Sequence, residues 1–499
     1  MGRQRLDGRL LDAAQRRQRQ VPHRQLGAFQ HPSDEPSGWF VQQQFRLEEQ
    51  DDGTFLIQYV GYETNEGWWW IPEHYVTVAA DGTVGTGSKA DAAQFEMEVV
   101  SSGVDSAVAA ADDADAAVVV VGSQPFVYGR ENHDRETMAL GESQQELIEA
   151  VSAANPNTVV VLETSYPVTM DAEADTLLWT THAGSETGNA LADVVFGDVN
   201  PAGRLTQTWY TGTDDLPSIL DYDIIKTGMT YMYYEGTPLY PFGHGLSYSR
   251  FEYSNLRTDG TSVGGDGLVR VSVDVTNFGD LAGDEVVQLY THQRTSRDEV
   301  PDKELAAFER VALEPGETET VKFRLRASDL AHWDVTRDTW VVERSTYDVL
   351  VGSSSNDIRE QTTLRVRGEP IPARDLSDPT KAENFDDYSG VALVDESKER
   401  GTAVEAEADG SWVEFADAKL GKRDTTFTAE VAKESAGTGT IEIRLGSPDG
   451  TLLGTATVES TGDVYTYTTT TAQLSEDRGT HDVYLVLSDD VRLTSFSID

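Results

Sequence analysis

The hydrophobic pattern changes period along the chain, and each change marks a new kind of element. From Gly38 to Val100 it alternates in the β manner, with FVQQQFRL, FLIQYVG, HYVTVAA and QFEMEVV as strands separated by DDG and DG turns. From Val104 the pattern alternates between helix and strand. VDSAVAAADDA reads as a short amphipathic helix and AAVVVV as a buried strand. SQQELIEAVSAA reads as a helix with Ser143 as its cap and Glu146 at the capping-box position. TVVVLE and ADTLLWT are the next strands, and ETGNALADVVFG the next helix. Strands alternating with helices predict an open, parallel α/β sheet, incomplete on its N-terminal side because the β-rich segment intrudes just before its first helix. Residues 250–367 switch to period two. LVRVSVDVTNFG puts Val269, Val271, Val273 and Val275 on one face, and GDEVVQLYTH, ETVKFRLRA and STYDVLVGSS continue the pattern, which predicts a β-sandwich. A Pro- and Asp-rich linker is expected at 368–381, and a second all-β unit, a jelly-roll sandwich, over 382–499.

Composition changes the picture at one end and in overall charge. Residues 1–27 are Arg- and Gln-rich whereas the rest is acid-rich, so this stretch is expected to be a disordered or mis-called leader. The expected partition is then 1–27 leader, 28–103 β-rich insert, 104–249 α/β sandwich, 250–367 β-sandwich, 368–381 linker and 382–499 jelly roll. With 86 Asp and Glu against 39 Lys and Arg, the net charge is −47. That argues strongly against a nucleic-acid partner, which needs clustered Lys and Arg. It fits the self-repelling, soluble surface of a protein from a salt-loving source. The absence of cysteine excludes disulfides and thiolate metal sites. No apolar run reaches the length of a membrane span, so no membrane partner is expected, and the N-terminus lacks the apolar core of a secretory signal.

The candidate chemistry sits in AAVVVVGSQPFVYGRENHDR, residues 116–135. Loops at the carboxyl ends of strands in open α/β sheets are where ligands bind, and this one carries Glu131 and Asp134 among Arg130, His133 and Arg135. From the residues alone, Glu131 is either half of a glycosidase's carboxylate pair or an exposed glutamate paired with Arg130 or Arg135. Trp68, Trp69 and Trp70 are either a sugar-stacking platform or a plug under a long hairpin. YVTVAADGTVGTGSKADAAQFEM resembles one repeat of a β-trefoil, so a partial trefoil-like fold is expected there.

VVVVG followed by GRENHDR, LLWTTHAGSETGNALADVVFGDVNPAGRL and GMTYMYYEGTPLYPFGHGLSY together resemble the C-terminal part of a family 3 glycoside hydrolase, the β-glucosidase and β-xylosidase family. VTNFGDLAGDEVVQLY resembles the fibronectin III-like domain that follows in that family. The likeness covers about 104–368. It implies a retaining enzyme acting on terminal β-linked sugars, in which two carboxyl groups flank the glycosidic bond. Glu131 matches the family's acid/base glutamate, with Asp134 the neighbouring alternative, Asp134 and Arg135 otherwise closing the loop as a charge-assisted pair. The matching nucleophile is an aspartate of an N-terminal barrel for which there is no room before residue 104. The resemblance therefore implies the accessory half of an extracellular enzyme, inactive alone and working with a separately encoded barrel, and needing no cofactor for catalysis. Glu186, at a helix start, and His244, in a Gly-flanked turn, are read as structural.

AENFD, DGSWVEF, DGTLLGTATV, TGDVYTY and GTHDVYLV give 382–499 a resemblance to a family 6 carbohydrate-binding module. This implies Trp412 with Tyr465 or Tyr467 as sugar-binding aromatics, and Glu383 and Asp499 as positions for a structural calcium. Val464 stands where that family has Trp, and Arg492 or Thr494 where it has a late asparagine. A non-catalytic, carbohydrate-binding set of modules is the alternative to the hydrolase half.

Overall fold

The computed structural model describes residues 21–25 and 28–33 as backbone, and 45–59, 74–123, 137–421 and 425–499 in full. The chain divides into two compact units, one of residues 1–200, 205–230 and 234–242, the other of 201–204, 231–233 and 243–499.

In the first unit, β1 (Val21–Gln25) pairs with β2 (Ala28–Ser33), so ordered strand begins inside the stretch that composition marks as a leader. β3 (Phe45–Glu49), β4 (Phe55–Tyr59), β5 (Tyr75–Val78) and β6 (Val84–Gly87) form one antiparallel sheet in sequence order. Ile57, Val76 and Phe95 pack together on it. QFEMEVV does not continue this sheet as a strand: it meets β4 through a bridge from Phe95 to Phe55. Of that run only Phe95 is buried; Glu96 and Glu98 are exposed, and so are Met97, Val99 and Val100.

The α/β elements follow. α1 (Gly103–Asp112) is capped by Ser102, whose hydroxyl accepts from the Asp105 N–H at 3.0 Å. β7 (Ala117–Gly122) and β8 (Thr158–Glu163) pair in parallel, and β9 (Leu177–Thr180) extends the sheet on the far side of β8. α2 (Glu142–Ala154) crosses between β7 and β8 and buries Ile148 and Val151 against Val119, Val160 and Leu162. It starts earlier than the capping pattern predicts. Gly141 is the cap, and Ser143 lies within the first turn without capping it. Gln144 explains the shift, because its amide is engaged with the backbone at the end of β7 and fixes that turn as helix. α3 (Thr187–Val195) buries none of its residues.

The second unit opens with the expected sandwich. β10 (Phe251–Thr258), β12 (Leu268–Asn277) and β15 (Thr318–Arg326) form one sheet. β11 (Ser262–Gly264), β13 (Gly283–Gln293), β14 (Glu304–Leu313), β18 (Ser345–Gly352) and β19 (Ile358–Arg367) form the other. A hairpin of β16 (His332–Asp334) and β17 (Thr339–Val341) stands apart from both. Val269, Val271, Val273 and Val275 are all buried, as their period requires. Each such valine stabilises the fold by about 1.5–3 kcal/mol relative to an exposed one.

The C-terminal sandwich comprises a sheet of β20 (Thr380–Lys381), β22 (Val391–Asp395), β23 (Thr402–Ala406), β25 (Thr426–Ala432), β28 (Thr468–Gln473) and β30 (Arg492–Ile498). Facing it are β21 (Asp387–Ser389), β24 (Ser411–Leu420), β26 (Gly439–Leu445), β27 (Thr451–Val458) and β29 (Gly479–Leu487). Phe415, Phe427 and Phe496 meet at its centre.

The 368–381 stretch is packed rather than a free linker. Arg374 and Leu376 are buried within it, and the backbone of Arg374 bonds Asp417 and Lys419. Its guanidinium donates to Asp386 at 2.7 Å and to the Asn384 carbonyl at 2.9 Å, and lies over the Phe415 ring. Arg297, from the loop after β13, reaches the same Asp386 at 3.5 Å and Asp298 at 3.1 Å. His332 and Arg337 extend the cluster through Asp298 and Asp334. The two sandwiches are thus joined through buried charge.

Candidate active site at the carboxyl edge of the parallel sheet

β7 is pinned where the catalytic-loop candidate leaves it. Gln144 brackets Gly122 from both sides: the Gly122 N–H donates to its Oε1 at 2.8 Å, and its Nε2 donates to the Gly122 carbonyl at 3.0 Å. The next N–H, of Ser123, donates to the Glu163 carbonyl at 3.1 Å. Gly122 is required here, since a Cβ would fall 1.9 Å from the Glu163 carbonyl oxygen. Gly122→Ala is therefore expected to destabilise the full chain by roughly 1–3 kcal/mol, read as a lower midpoint in urea, because strand or loop must shift.

Glu131, with Arg130, His133, Asp134 and Arg135, lies outside the described residues, as do Trp68, Trp69 and Trp70. What the structure describes is the ground from which the loop departs. On the neighbouring strands that ground carries a carboxylate and an imidazole in contact. Glu163 ends β8, His182 follows β9, and their side chains meet at Oε1 to Nδ1, 3.2 Å, each about one-third exposed. Beside them the Trp179 indole N–H donates to Thr164 Oγ1 at 3.0 Å, and Thr164 is fully buried. A carboxylate and an imidazole at this edge can accept from and donate to hydroxyl groups of a ligand. The sequence signal for this pair is positional: TVVVLE ends in Glu and the next strand runs into HAG, so parallel pairing brings the two together.

Glu186 precedes α3 and accepts from Asn189 Nδ2 at 2.6 Å, a helix-start contact. In the second unit, His244 is half-buried between Gly243 and Gly245, and burial, with the Arg204 charge, holds its imidazole below the usual value. Neither neighbour tolerates a side chain: a Cβ on Gly243 would meet Gln288 at 2.1 Å, and one on Gly245 would meet the Gly203 carbonyl at 2.2 Å.

In the C-terminal sandwich Trp412 does not converge with the two candidate tyrosines, which both lie at Arg492. Val413 faces the core, so Trp412 lies on the outer face of its sheet, edge-on to Tyr484 at 5.3 Å. Tyr465 lies over the guanidinium of Arg492, whose neighbours Val491 and Leu493 are buried; this is the outer face of the opposite sheet. Lys398 also sits over the Tyr465 ring, at 5.6 Å. Arg492 is paired with Glu405 at 2.9 Å. Tyr467 is beside it, its phenol pushed up by burial and partly held back by the Arg492 charge. Two cations therefore lie beside the ring that the sequence likeness offers to a sugar.

Glu383 lies 3.6 Å from Lys381, near the start of β30, since the Ala382 N–H donates to the Thr494 carbonyl. Asp499 is at the other end of that strand, its backbone bonded to Thr425 and Thr426. At about 3.4 Å per residue the two are about 20 Å apart, too far to ligate one ion. Among the described residues no group of three or more His, Asp or Glu is placed to hold a metal.

Residues 17–248 match the glycosyl hydrolase family 3 C-terminal domain, 285–355 the fibronectin type III-like domain, and 381–499 the family 6 carbohydrate binding module. Over these ranges the chain is similar to a family 3 C-terminal domain followed by two β-modules. The first match begins before the α/β elements and takes in the β3–β6 sheet. Among named relatives, a β-glucosidase of Rhizobium radiobacter is 40% identical over 288 residues, covering 54% of this chain and 35% of its own. A β-xylosidase of Formosa agariphila is 37% identical over 311 residues, covering 59% and 42%. A solved family 3 β-glucosidase of Bifidobacterium adolescentis overlaps 54% of this chain and 42% of its own, at 31% identity and a TM-score of 0.49. The chain spans roughly two-fifths or less of the length of the relatives it matches.

Proposed function

We propose that this chain is the C-terminal portion of a retaining β-glycosidase, of the β-glucosidase or β-xylosidase kind, acting on terminal β-linked sugars. Glu131 is its acid/base, delivered on the loop that leaves β7. The nucleophile comes from a barrel outside these 499 residues. The family 3 match over 17–248 and the names of the relatives support the chemistry. The single observation that carries the need for a further polypeptide is the face of β7 that the described residues leave exposed. Val118 and Val120 are 51% and 56% exposed, opposite the buried Val119 and Val121. Parallel sheets are stable when both faces are covered, and within this unit α3 buries nothing that would do it.

In this reading Glu131 protonates the leaving glycosidic oxygen as the barrel carboxylate attacks the anomeric carbon. It then takes a proton from the water that releases the sugar. The Glu163–His182 pair contributes polar contacts at the carboxyl edge of the sheet. Mixing this chain with the barrel portion of a family 3 β-glucosidase is expected to produce hydrolysis of an aryl β-glucoside or β-xyloside that neither piece shows alone. Full activity from this chain by itself overturns the split. Failure to complement, with retained binding to β-glycans, favours a non-catalytic binding protein.

A further inference from the structure

The hairpin of β16 and β17 places Trp333 directly across from Trp340. Asp334 and Val341, next to them, turn inward and are buried. The two indoles share the other side and stand out at 42% and 67% exposure, edge to face, with ring centroids 5.7 Å apart. Nothing in the packing calls for this. A threonine would suit an exposed strand position as well as tryptophan and expose less apolar surface. The inner side of the hairpin is firmly held. The Asp334 carboxylate accepts from the Arg337 Nε at 2.6 Å and from the Thr336 N–H at 2.9 Å. Beside the indoles, Asp338 at the turn pairs at 2.8 Å with Lys381, the first residue of the matched carbohydrate-binding module, and Lys381 also reaches Glu383.

We propose that this hairpin is a glycan-binding platform that takes a neutral β-linked chain such as a glucan or xylan. The electron-rich face of an indole attracts the C–H groups that an equatorially substituted pyranose ring presents on its flat side. Trp340, the more exposed, offers that face, Trp333 closes one flank, and Asp338 and Lys381 meet the ring hydroxyls at the rim. Charge selects this occupant. A second copy of this chain, a phosphate-bearing surface or a polyanionic glycan would each approach a molecule of net charge −47 against repulsion. A neutral sugar polymer meets none. Continuity with the start of the C-terminal module points the same way, and the Tyr465 ring of that module has Lys398 and Arg492 within 6 Å of its centre. The platform goes beyond the proposed hydrolase and stands without it, because it is read by binding rather than turnover.

The test is affinity electrophoresis of the full chain in gels containing a neutral mixed-linkage β-glucan or neutral xylan. Titration with cellohexaose and xylohexaose, followed by tryptophan fluorescence, supplies a dissociation constant. Trp333→Ala/Trp340→Ala is expected to weaken binding by about ten-fold or more, with Trp412→Ala and Tyr465→Ala close to the parent. Trp340→Tyr, which keeps an aromatic face, is expected to retain most of the affinity and serves if the double variant melts early. Unchanged affinity in the double variant, or no retardation of the folded parent in either gel, overturns the platform. So does a concentration-dependent dimer that the double variant abolishes, which would make a second copy the occupant.

Discussion

Replacing Glu131 by Gln in the reconstituted enzyme is expected to lower kcat/KM on an unactivated alkyl β-glycoside by on the order of 10²–10⁴. The loss should shrink sharply on a dinitrophenyl glycoside, whose leaving group departs without protonation. On that substrate the first step survives and the second fails, because no base remains to deprotonate water. Azide, an anion that needs no base, should then raise turnover and appear in the product as a glycosyl azide. This pattern separates an acid/base from a residue that merely shapes the loop, for which activated and unactivated substrates would lose alike and azide would do nothing. Asp134→Asn is the internal control. If it, rather than Glu131→Gln, shows azide rescue, the neighbouring carboxylate holds the role.

The sequence was most legible where one period runs long enough to decide a face. Val269 to Val275 alternate without interruption, and all four inward positions are buried. AAVVVV and TVVVLE are unbroken apolar runs, and they pair in parallel as such runs do. Legibility failed where one side chain overrides a local preference. Ser143 has the right spacing for a cap, but Gln144 is held by Gly122 and the helix starts at Glu142. It failed again at 368–381, where Pro and Asp look like linker composition. Arg374 is instead drawn into the protein by Asp386, twelve residues away. Long-range pairing of charge has no period to betray it. For the same reason Trp412 and Tyr465 look like partners in the sequence, yet Trp412 lies on the outer face of one sheet and Tyr465 beside Arg492 on the outer face of the other.

The buried charge between the two sandwiches predicts an asymmetric response to mutation. Burial is the dominant influence on both members of the central pair, pushing the Asp386 carboxyl up and the Arg374 guanidinium down; their mutual attraction only partly offsets it. Such a pair adds little net stability over well-packed apolar side chains, but removing one member strands the other. Asp386→Ala leaves Arg374 and Arg297 facing each other without their shared carboxylate, and is expected to cost about 3–5 kcal/mol in urea unfolding of the full chain. Arg374→Met/Asp386→Leu should recover most of that loss. If the double variant is as unstable as Asp386→Ala, the ions hold the seam through direct attraction and this accounting of burial is wrong. His332 adds a pH dependence of definite sign. The hydrogen bond to Asp298 raises its pKa above the usual 6.5 against the opposing effect of burial. Its contribution is therefore fully present below about pH 6.5 and is lost as pH rises through the folded value. Asp298 behaves oppositely. Burial pushes it up, but the His332 hydrogen bond and the Arg297 charge outweigh that and leave it below 3.8, so its contribution is lost only as pH falls through that lowered value. The contact is strongest between these limits, and His332→Gln should flatten the decline of stability above pH 6.5 and also weaken the acid limb, because Asp298 then keeps only Arg297 to hold it down.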